Sequence, residues 1–489
     1  MTYGLRLAEA VWGTLQDALA VYADDRRATG HLRQQLGRLE EPVRLAVAGP
    51  WRSGKSTVIN AVMGEEVAPL GVEPAGRAFV WYEDGPQPRA TAYPVTGPAQ
   101  ELTVAKSAAG LRIDPVGWPS GEVEDVVVRW PTRALRQATL IDTPAVDDPD
   151  GNRPSPVLDR VLRDADAVLY LTRDGRDTDL RALEPVRDSA VGQAAPVNVL
   201  LVLSRADEVG GGRVDALLTA QQLARRQRRD QRVAACCVDA VAVSGVVGLA
   251  GRVMSESDFT ALAALADADR VERDAALLSA DRFLRANLPR YLDAPVRAAL
   301  LDRFGLFGLR LASTLIRSGA DSRARLSAEL IRRSGLAELR TAVARYFIER
   351  TDVLKARSAL LGLESLARTA RRPGSAELLA AVEQILAGAH DFRELRLLAA
   401  LGDPRLGLAA DLTADAHRLV GGQGVSLPAR LGLNDTADDD GLWTATCDAL
   451  VRWRELAEQP ESTAARQRAA RVVVRTCEGI LAEITEGGR

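Results

Sequence analysis

Lysine is nearly absent from this 489-residue chain: of 63 basic residues only Lys55, Lys106 and Lys355 are lysines, and all others are arginines. A lysine here is not generic surface charge, and each position calls for its own reason. Cysteine is equally scarce. The four present, two of them adjacent at Cys236 and Cys237, form neither a disulfide framework nor a CxxC ligand pair and read as buried thiols. The three histidines, His31, His390 and His417, are scattered, so spacing gives no histidine-based metal site or catalytic triad. No run of ~18 uncharged apolar residues occurs. The longest candidate, Val233 to Ala250, is interrupted by Asp239 and by Ser244-Gly245, and it reads as a strand followed by a loop. The first twenty residues carry Glu9 and Asp17 and lack a basic start, which argues against a secretory signal and for a cytoplasmic protein. A net charge of −3 argues against a nucleic-acid partner.

The hydrophobic share of 47% with 26% charged residues is that of an ordinary globular protein. The length implies two or three domains, because a single core stops growing near ~250 to 300 residues. Apolar residues from Leu5 to Leu39 recur at helical spacing and end at Pro42, which predicts one or two amphipathic helices over 1–41. Residues 42–255 alternate short β-rich runs with helical stretches, as in a doubly wound, mostly parallel α/β sheet. The clearest strands are Val43 to Ala48, Val123 to Trp130, Ala138 to Ile141, Ala167 to Leu171 and Val197 to Leu203. After Gly251 the strand signal disappears, and 256–489 reads as a long helical bundle or stalk. Val343, Phe347, Leu354 and Leu361 suggest either an ordinary bundle core or a coiled-coil-like seam. Arg372-Pro-Gly-Ser375 reads as a turn between two helices, and Gly305 and Gly308 as places for a bend or close packing.

Three segments carry chemistry. Gly49-Pro-Trp-Arg-Ser-Gly-Lys-Ser-Thr57 fits GxxxxGK[ST] between a β run and a helical one. Its glycines and backbone N–H groups suit phosphates at a helix N-terminus. Gly49, Ser53, Gly54 and Thr57 would form the cradle, Lys55 would reach the β- and γ-phosphates, and Ser56 would ligate Mg²⁺. Leu140-Ile-Asp-Thr-Pro144 closes a second strand with Asp142, where P-loop proteins hold Mg²⁺. Ser204-Arg-Ala-Asp207 follows a third strand and has the form of a guanine-reading motif. Asp207 would accept both N–H donors of the guanine edge, a bidentate contact that adenine cannot offer. Arg205 would lay a planar guanidinium on the base. Ser244, ending the next strand, stands at the last base-side position, where a plain strand exit is the competing reading. GTP or GDP with Mg²⁺ is the expected ligand, and an ATPase reading survives only if Asp207 is ignored.

One part is missing. GTPases place a metal-binding threonine in the loop after the first helix, yet Val58 to Ala90 contains no serine or threonine. The loop Leu70 to Arg77 offers only backbone groups and Glu73, with Gly76 near the expected position, and Ala145 replaces the glycine that usually follows DTP. Slow or absent hydrolysis follows.

An N-terminal helix, a large G domain with these motifs and a long helical half together resemble bacterial dynamin-like proteins over most of the chain. Ser204 to Ala216, Ala276 to Leu284 and Arg303 to Arg310 are similar to the isoniazid-inducible protein C branch of actinobacteria. The resemblance implies a GTP-driven, self-associating protein working peripherally at the inner face of the cell membrane, in remodelling or division-related assembly. It also implies a homodimer, or a hetero-oligomer with a paralogous dynamin-like partner. Trp51-Arg52 looks instead like the aromatic-arginine pair of guanylate-binding and atlastin-type GTPases, which makes Arg52 a finger in cis once two G domains meet, or else a solvated loop arginine. The alternative to an active enzyme is a nucleotide-locked pseudo-GTPase scaffold. Lipid contact has two candidates, Phe304 to Ile316 and the arginines Arg368, Arg371 and Arg372, each of which also has an ordinary reading as a buried helix or a solvated turn.

Asp207→Asn is expected to weaken GDP binding and improve xanthosine diphosphate binding, because an amide donor suits the xanthine carbonyl. Unchanged preference in a competition titration would place guanine reading elsewhere.

Overall fold

The computed structural model describes residues 2–68, 78–107, 110–113, 123–146, 155–173, 197–234, 236–286, 288, 292–402 and 404–487. Among them, nine strands form one sheet in the order β11-β10-β9-β1-β8-β2-β7-β3-β4. The strands are β1 (Val43–Ala48), β2 (Phe79–Asp84), β3 (Arg89–Pro94), β4 (Gln100–Leu102), β7 (Val123–Trp130), β8 (Ala138–Asp142), β9 (Ala167–Thr172), β10 (Val199–Leu203) and β11 (Asp239–Ala242). A separate hairpin joins β5 (Val104–Ser107) to β6 (Gly110–Ile113). From β11 to β8 every pairing is parallel, while β2 meets β8 antiparallel and β3 runs antiparallel to β7 and β4. The parallel strands β8, β9 and β10 are buried at every residue, as expected of strands covered on both faces. β7 instead alternates, with Val126, Val128 and Trp130 buried and Glu124 and Arg129 exposed.

The first helices are α1 (Thr2–Val21) and α2 (Arg26–Arg38). The sheet carries α3 (Lys55–Met63), α4 (Pro156–Asp164), α5 (Ala216–Gln227), α6 (Gln231–Ala234) and α7 (Gly245–Val253). The segment 233–250 is thus a strand followed by a helix, correcting the loop expected there. Ser244 starts that helix, its hydroxyl accepting the Val247 N–H at 3.2 Å. Beyond Val253 the described elements are helices, apart from an isolated β-bridge between Gly422 and Gly424. Phe347 and Leu354 share one apolar core with Val343 packed against it, the ordinary bundle reading, and no continuous helical seam joins them, because helix Leu336–Tyr346 ends and a 3₁₀ turn intervenes before helix Thr351–Thr369. Arg350 fixes this break, donating to the Val420 and Gly421 carbonyls at 3.0 and 2.8 Å.

Phe304 to Ile316 lies within helix Ala294–Arg317, with Phe304, Phe307, Leu309, Leu311 and Leu315 buried. That segment is core, not a lipid contact. Gly305 (φ +62°) does interrupt it, as a bend requires. The turn at 370–374 joins helices Thr351–Thr369 and Ser375–Gly388 as expected, and two of the three candidate arginines are engaged: Arg372 pairs with Asp24 and Asp25 and lies over the Tyr22 ring, and Arg368 pairs with Glu364, while Arg371 is exposed.

Helices α1 and α2 share one apolar cluster with Thr351–Thr369 and Ser375–Gly388, built from Val11, Leu15, Leu32, Leu360, Leu363 and Val382 among others. Two buried cations tie this assembly to the sheet. Arg38, at the end of α2, donates to the Arg163 and Asp164 carbonyls ending α4, both at 3.2 Å, and pairs with Asp166 at 3.0 Å. Asp166 in turn accepts the Arg44 N–H of β1 at 2.9 Å. Lys355, one of the rare lysines, donates to the Leu39 and Glu41 carbonyls at 2.6 and 3.0 Å, a compact charge fitting two converging oxygens.

Arg38→Ala leaves Asp166, only 2% exposed, without its cation. The variant should lose roughly 3 kcal/mol of stability, read as a lowered urea midpoint. A loss below about 1 kcal/mol would make the pair a surface-grade contact.

Candidate nucleotide site

The three motifs arrive at one edge because β1, β8 and β10 run parallel in the same half of the sheet and release their chains at the same end. Residues 49–54 connect β1 to α3, so the N-terminus of α3 faces out of the loop with its N–H groups directed at the site. Gly49 (φ +148°) passes so close to β9 that a Cβ there would lie 2.3 Å from the Leu171 carbonyl oxygen. Gly54 (φ +86°) takes the left-handed conformation at the N-cap. Both glycines are therefore required by backbone geometry. The Ser53 hydroxyl is buried with no hydrogen-bond partner, an orphan in a loop otherwise closed by its own bonds. Lys55 Nζ donates to the Gly49 and Pro50 carbonyls at 3.1 and 3.2 Å, which lays its ammonium across the loop. Thr57 turns elsewhere, its methyl 3.2 Å from where a Cβ on Gly245 would sit at the start of α7.

Ser56 and Asp142 are brought together as the spacing implied. The Ser56 hydroxyl donates to Asp142 Oδ2 at 2.7 Å. Burial pushes the Asp142 carboxyl up to about 6, opposed by the Ser56 hydrogen bond and the Lys55 charge. A hydroxyl and a carboxylate within one bond of each other, beside a lysine and a helix N-terminus, are a hard-oxygen donor set that fits Mg²⁺ with phosphate. The strand exit is tied to the same loop: Thr143 Oγ1 donates to the Val47 carbonyl at 3.1 Å and the Val146 N–H to the Gly49 carbonyl at 3.1 Å. Ala145 lies between these two anchors. The switch-loop candidates Glu73 and Gly76 lie outside the described residues.

On the base side, burial raises the Asp207 carboxyl, and the Ser244 hydroxyl opposes this by donating to Oδ1 at 2.6 Å. Ser244 thus caps α7 and orients Asp207 with one hydroxyl, a role that the motif alone did not disclose. Ser204 is spent on structure, its hydroxyl donating to the Thr172 carbonyl at 3.0 Å. Arg205 crosses above the phosphate loop, its Cγ 4.0 Å from the Cβ position of Gly54, and pairs with Glu208 at 2.5 Å. Arg52 lies over the Trp51 ring at 5.9 Å, and Trp51 is 51% exposed.

Backbone strain is a further signal the sequence did not give. Among the described residues, the non-glycine residues with positive φ are Arg52 (+56°) and Arg205 (+51°), and both border this site. Left-handed backbone at a branched-free but long side chain costs energy that the surrounding structure must impose, and such residues concentrate at functional sites.

A phosphate loop, a strand ended by an aspartate that meets its serine, and a third loop presenting a half-buried aspartate define a P-loop nucleotide-binding protein of the GTPase class. A family model described as the dynamin family matches residues 45–181. The isoniazid-induced protein IniC of Mycobacterium tuberculosis, in strains CDC 1551 / Oshkosh and ATCC 25618 / H37Rv, is 37% identical over 454 residues, covering 92% of each chain. The chain belongs to the dynamin family, on the branch of that protein, and guanine nucleotide is the ligand this membership implies. Two solved chains of an oligomerised bacterial dynamin pair, described as sensing and tethering membranes, cover 98% of this chain and 75% and 79% of their own. They share 12% and 11% identity at TM-scores of 0.32 and 0.34, too low to carry any part of the assignment.

Because Asp142 is ionised only above about pH 6, and only the carboxylate is a metal ligand, the Mg²⁺-dependent share of GDP affinity should fall as pH drops from 7 to 5. Asp142→Asn should abolish both the Mg²⁺ enhancement and its pH dependence. A flat profile in fluorescent-GDP titrations would refute the assignment.

Proposed function

We propose that this protein binds GTP with Mg²⁺, turns it over slowly, and couples G-domain pairing to its helical half in membrane-associated remodelling. The observation that carries the reading is the meeting of Ser56 with Asp142 at 2.7 Å, with the half-buried Asp207 held by Ser244 on the base side. In this reading Lys55 holds the β- and γ-phosphates, Ser53 donates its orphaned hydroxyl to them, and Ser56 and Asp142 are the metal ligands. Mg²⁺, when bound, offsets the phosphate charge. Asp207 selects guanine, and Arg205 covers the base.

Residues 42–255 would be the G domain, 1–41 and part of 256–489 its neck, and the remaining helices the stalk. The shared cluster of α1 and α2 with Thr351–Thr369 and Ser375–Gly388 supports the neck assignment. No helix among the described residues is long and apolar enough to cross a membrane, so membrane association in this reading is peripheral. A second copy or a paralogous dynamin-like chain would be the partner. The second reading, a hydrolysis-deficient scaffold for such a partner, is favoured by the absence of any serine or threonine from Val58 to Ala90.

Lys55→Ala separates nucleotide binding from fold: loss of GDP affinity with unchanged circular dichroism is expected, and retained affinity would sink the site. Arg52 decides between the two readings. Its strained backbone, three residues before Lys55, puts the guanidinium on the outer rim of the phosphate loop, and an arginine finger raises turnover by ~10³ to 10⁵. GTP turnover per molecule should rise with protein concentration, or with added partner, and Arg52→Ala should lose that rise while binding GTP as the parent does. Concentration-independent turnover in the parent would favour the scaffold.

A further inference from the structure

We infer that the arginine-rich outer face of α5 and the turn after it is a docking surface for an anionic lipid bilayer. The inference rests on the membrane-associated reading above and supplies the contact surface which that reading lacks, since Phe304 to Ile316 is core and Arg372 is paired. Residues 225–232 contain five arginines and one acid, Asp230. Arg228 is committed to Asp239. Arg225, Arg226 and Arg229 are exposed and make no side-chain hydrogen bond or ion pair among the described residues.

Their placement is ordered. The inner face of α5 buries Ala216, Leu217, Ala220 and Ala224. Helical periodicity puts Leu218, Gln222 and Arg225 on one outward stripe, with Arg226 at its side and Arg229 just beyond the end of the helix. Leu218 is 64% exposed, and Val214, just before the helix, is 61% exposed. Arg310 donates to the Gly212 and Leu278 carbonyls, which brings Leu278, itself 59% exposed, to this same end. The stripe therefore runs from apolar to cationic along one exposed face.

Cations in the last turn complement the helix dipole, but Arg229 and Arg232 lie outside α5, and the dipole does not account for Val214 and Leu218. Phosphate headgroups over an acyl boundary match both halves of such a face. A nucleic-acid backbone matches only the arginines.

The test is co-sedimentation of the full chain with phosphatidylcholine vesicles containing or lacking ~30% phosphatidylglycerol, in 50 to 300 mM NaCl. Binding should require the anionic lipid and weaken with salt. The triple variant Arg225→Gln, Arg226→Gln, Arg229→Gln should bind about 10²-fold more weakly, about fivefold for each arginine, with GDP affinity and melting temperature unchanged. The corresponding lysine triple should retain binding, and removing three arginines elsewhere (Arg270, Arg282 and Arg468 to Gln) should change it little. If the parent binds anionic vesicles and the Gln triple binds equally, this surface is wrong while the membrane reading stands. If the parent binds no vesicle, both fall and nucleotide binding is untouched. If duplex DNA competes away the vesicles and the Gln triple loses DNA binding, the surface serves a polyanion and the lipid assignment is overturned.

Discussion

The close approach of Gly49 to the Leu171 carbonyl is the constraint on which the site depends. With no room for a Cβ, the chain leaving β1 is pressed over the end of β9 and cannot rise away from the sheet. The loop that follows must then double back to start α3, which brings Ser56 under the end of β8, where Asp142 receives its hydroxyl. The Gly49 carbonyl also accepts Lys55 and the Val146 N–H, so one residue's backbone organises the phosphate side of the site and the exit of β8.

The base side is organised differently, by side chains. Ser244 belongs to β11's exit and Asp207 to β10's, and their hydrogen bond joins neighbouring parallel strands at their tips. Asp207 is aimed by a residue 37 positions away. The strained backbones of Arg52 and Arg205 stand on opposite sides of this arrangement, one at the rim of the phosphate loop and one above Gly54.

Most of the legible strands are those where burial is near total. β8, β9 and β10 are buried at every residue and β1 at all but Arg44, and their ends fall within two residues of those expected. β7 alternates, yet it was legible at its full bounds because its Val126-Val-Val128 run is strongly β-branched. β2, β3 and β4 were not read: they lie on the mixed side of the sheet, mingle Arg89, Glu83 and Glu101 with short apolar steps, and are punctuated by Pro86, Pro88 and Pro94. The phosphate and metal residues were legible because local spacing dictates them. Ser244's grip on Asp207 was not, since it depends on the register of β11 beside β10. Phe304 to Ile316 stayed open between lipid and core for a related reason: an apolar helix states that something covers it, and only the fold says whether that cover is protein.

The junction of Arg38, Lys355 and Asp166 has a mechanical meaning. It gathers the end of α2, the start of β1, the end of α4 and helix Thr351–Thr369 into one small region of buried charge and carbonyls. A 19-residue helix is about 28 Å long at ~1.5 Å per residue, and that region lies at one end of it. A tilt of about 10° there displaces the far tip by roughly 5 Å, one helical pitch. By the same geometry a tilt of about 1° at that region moves the turn that holds Arg372 by roughly half an ångström.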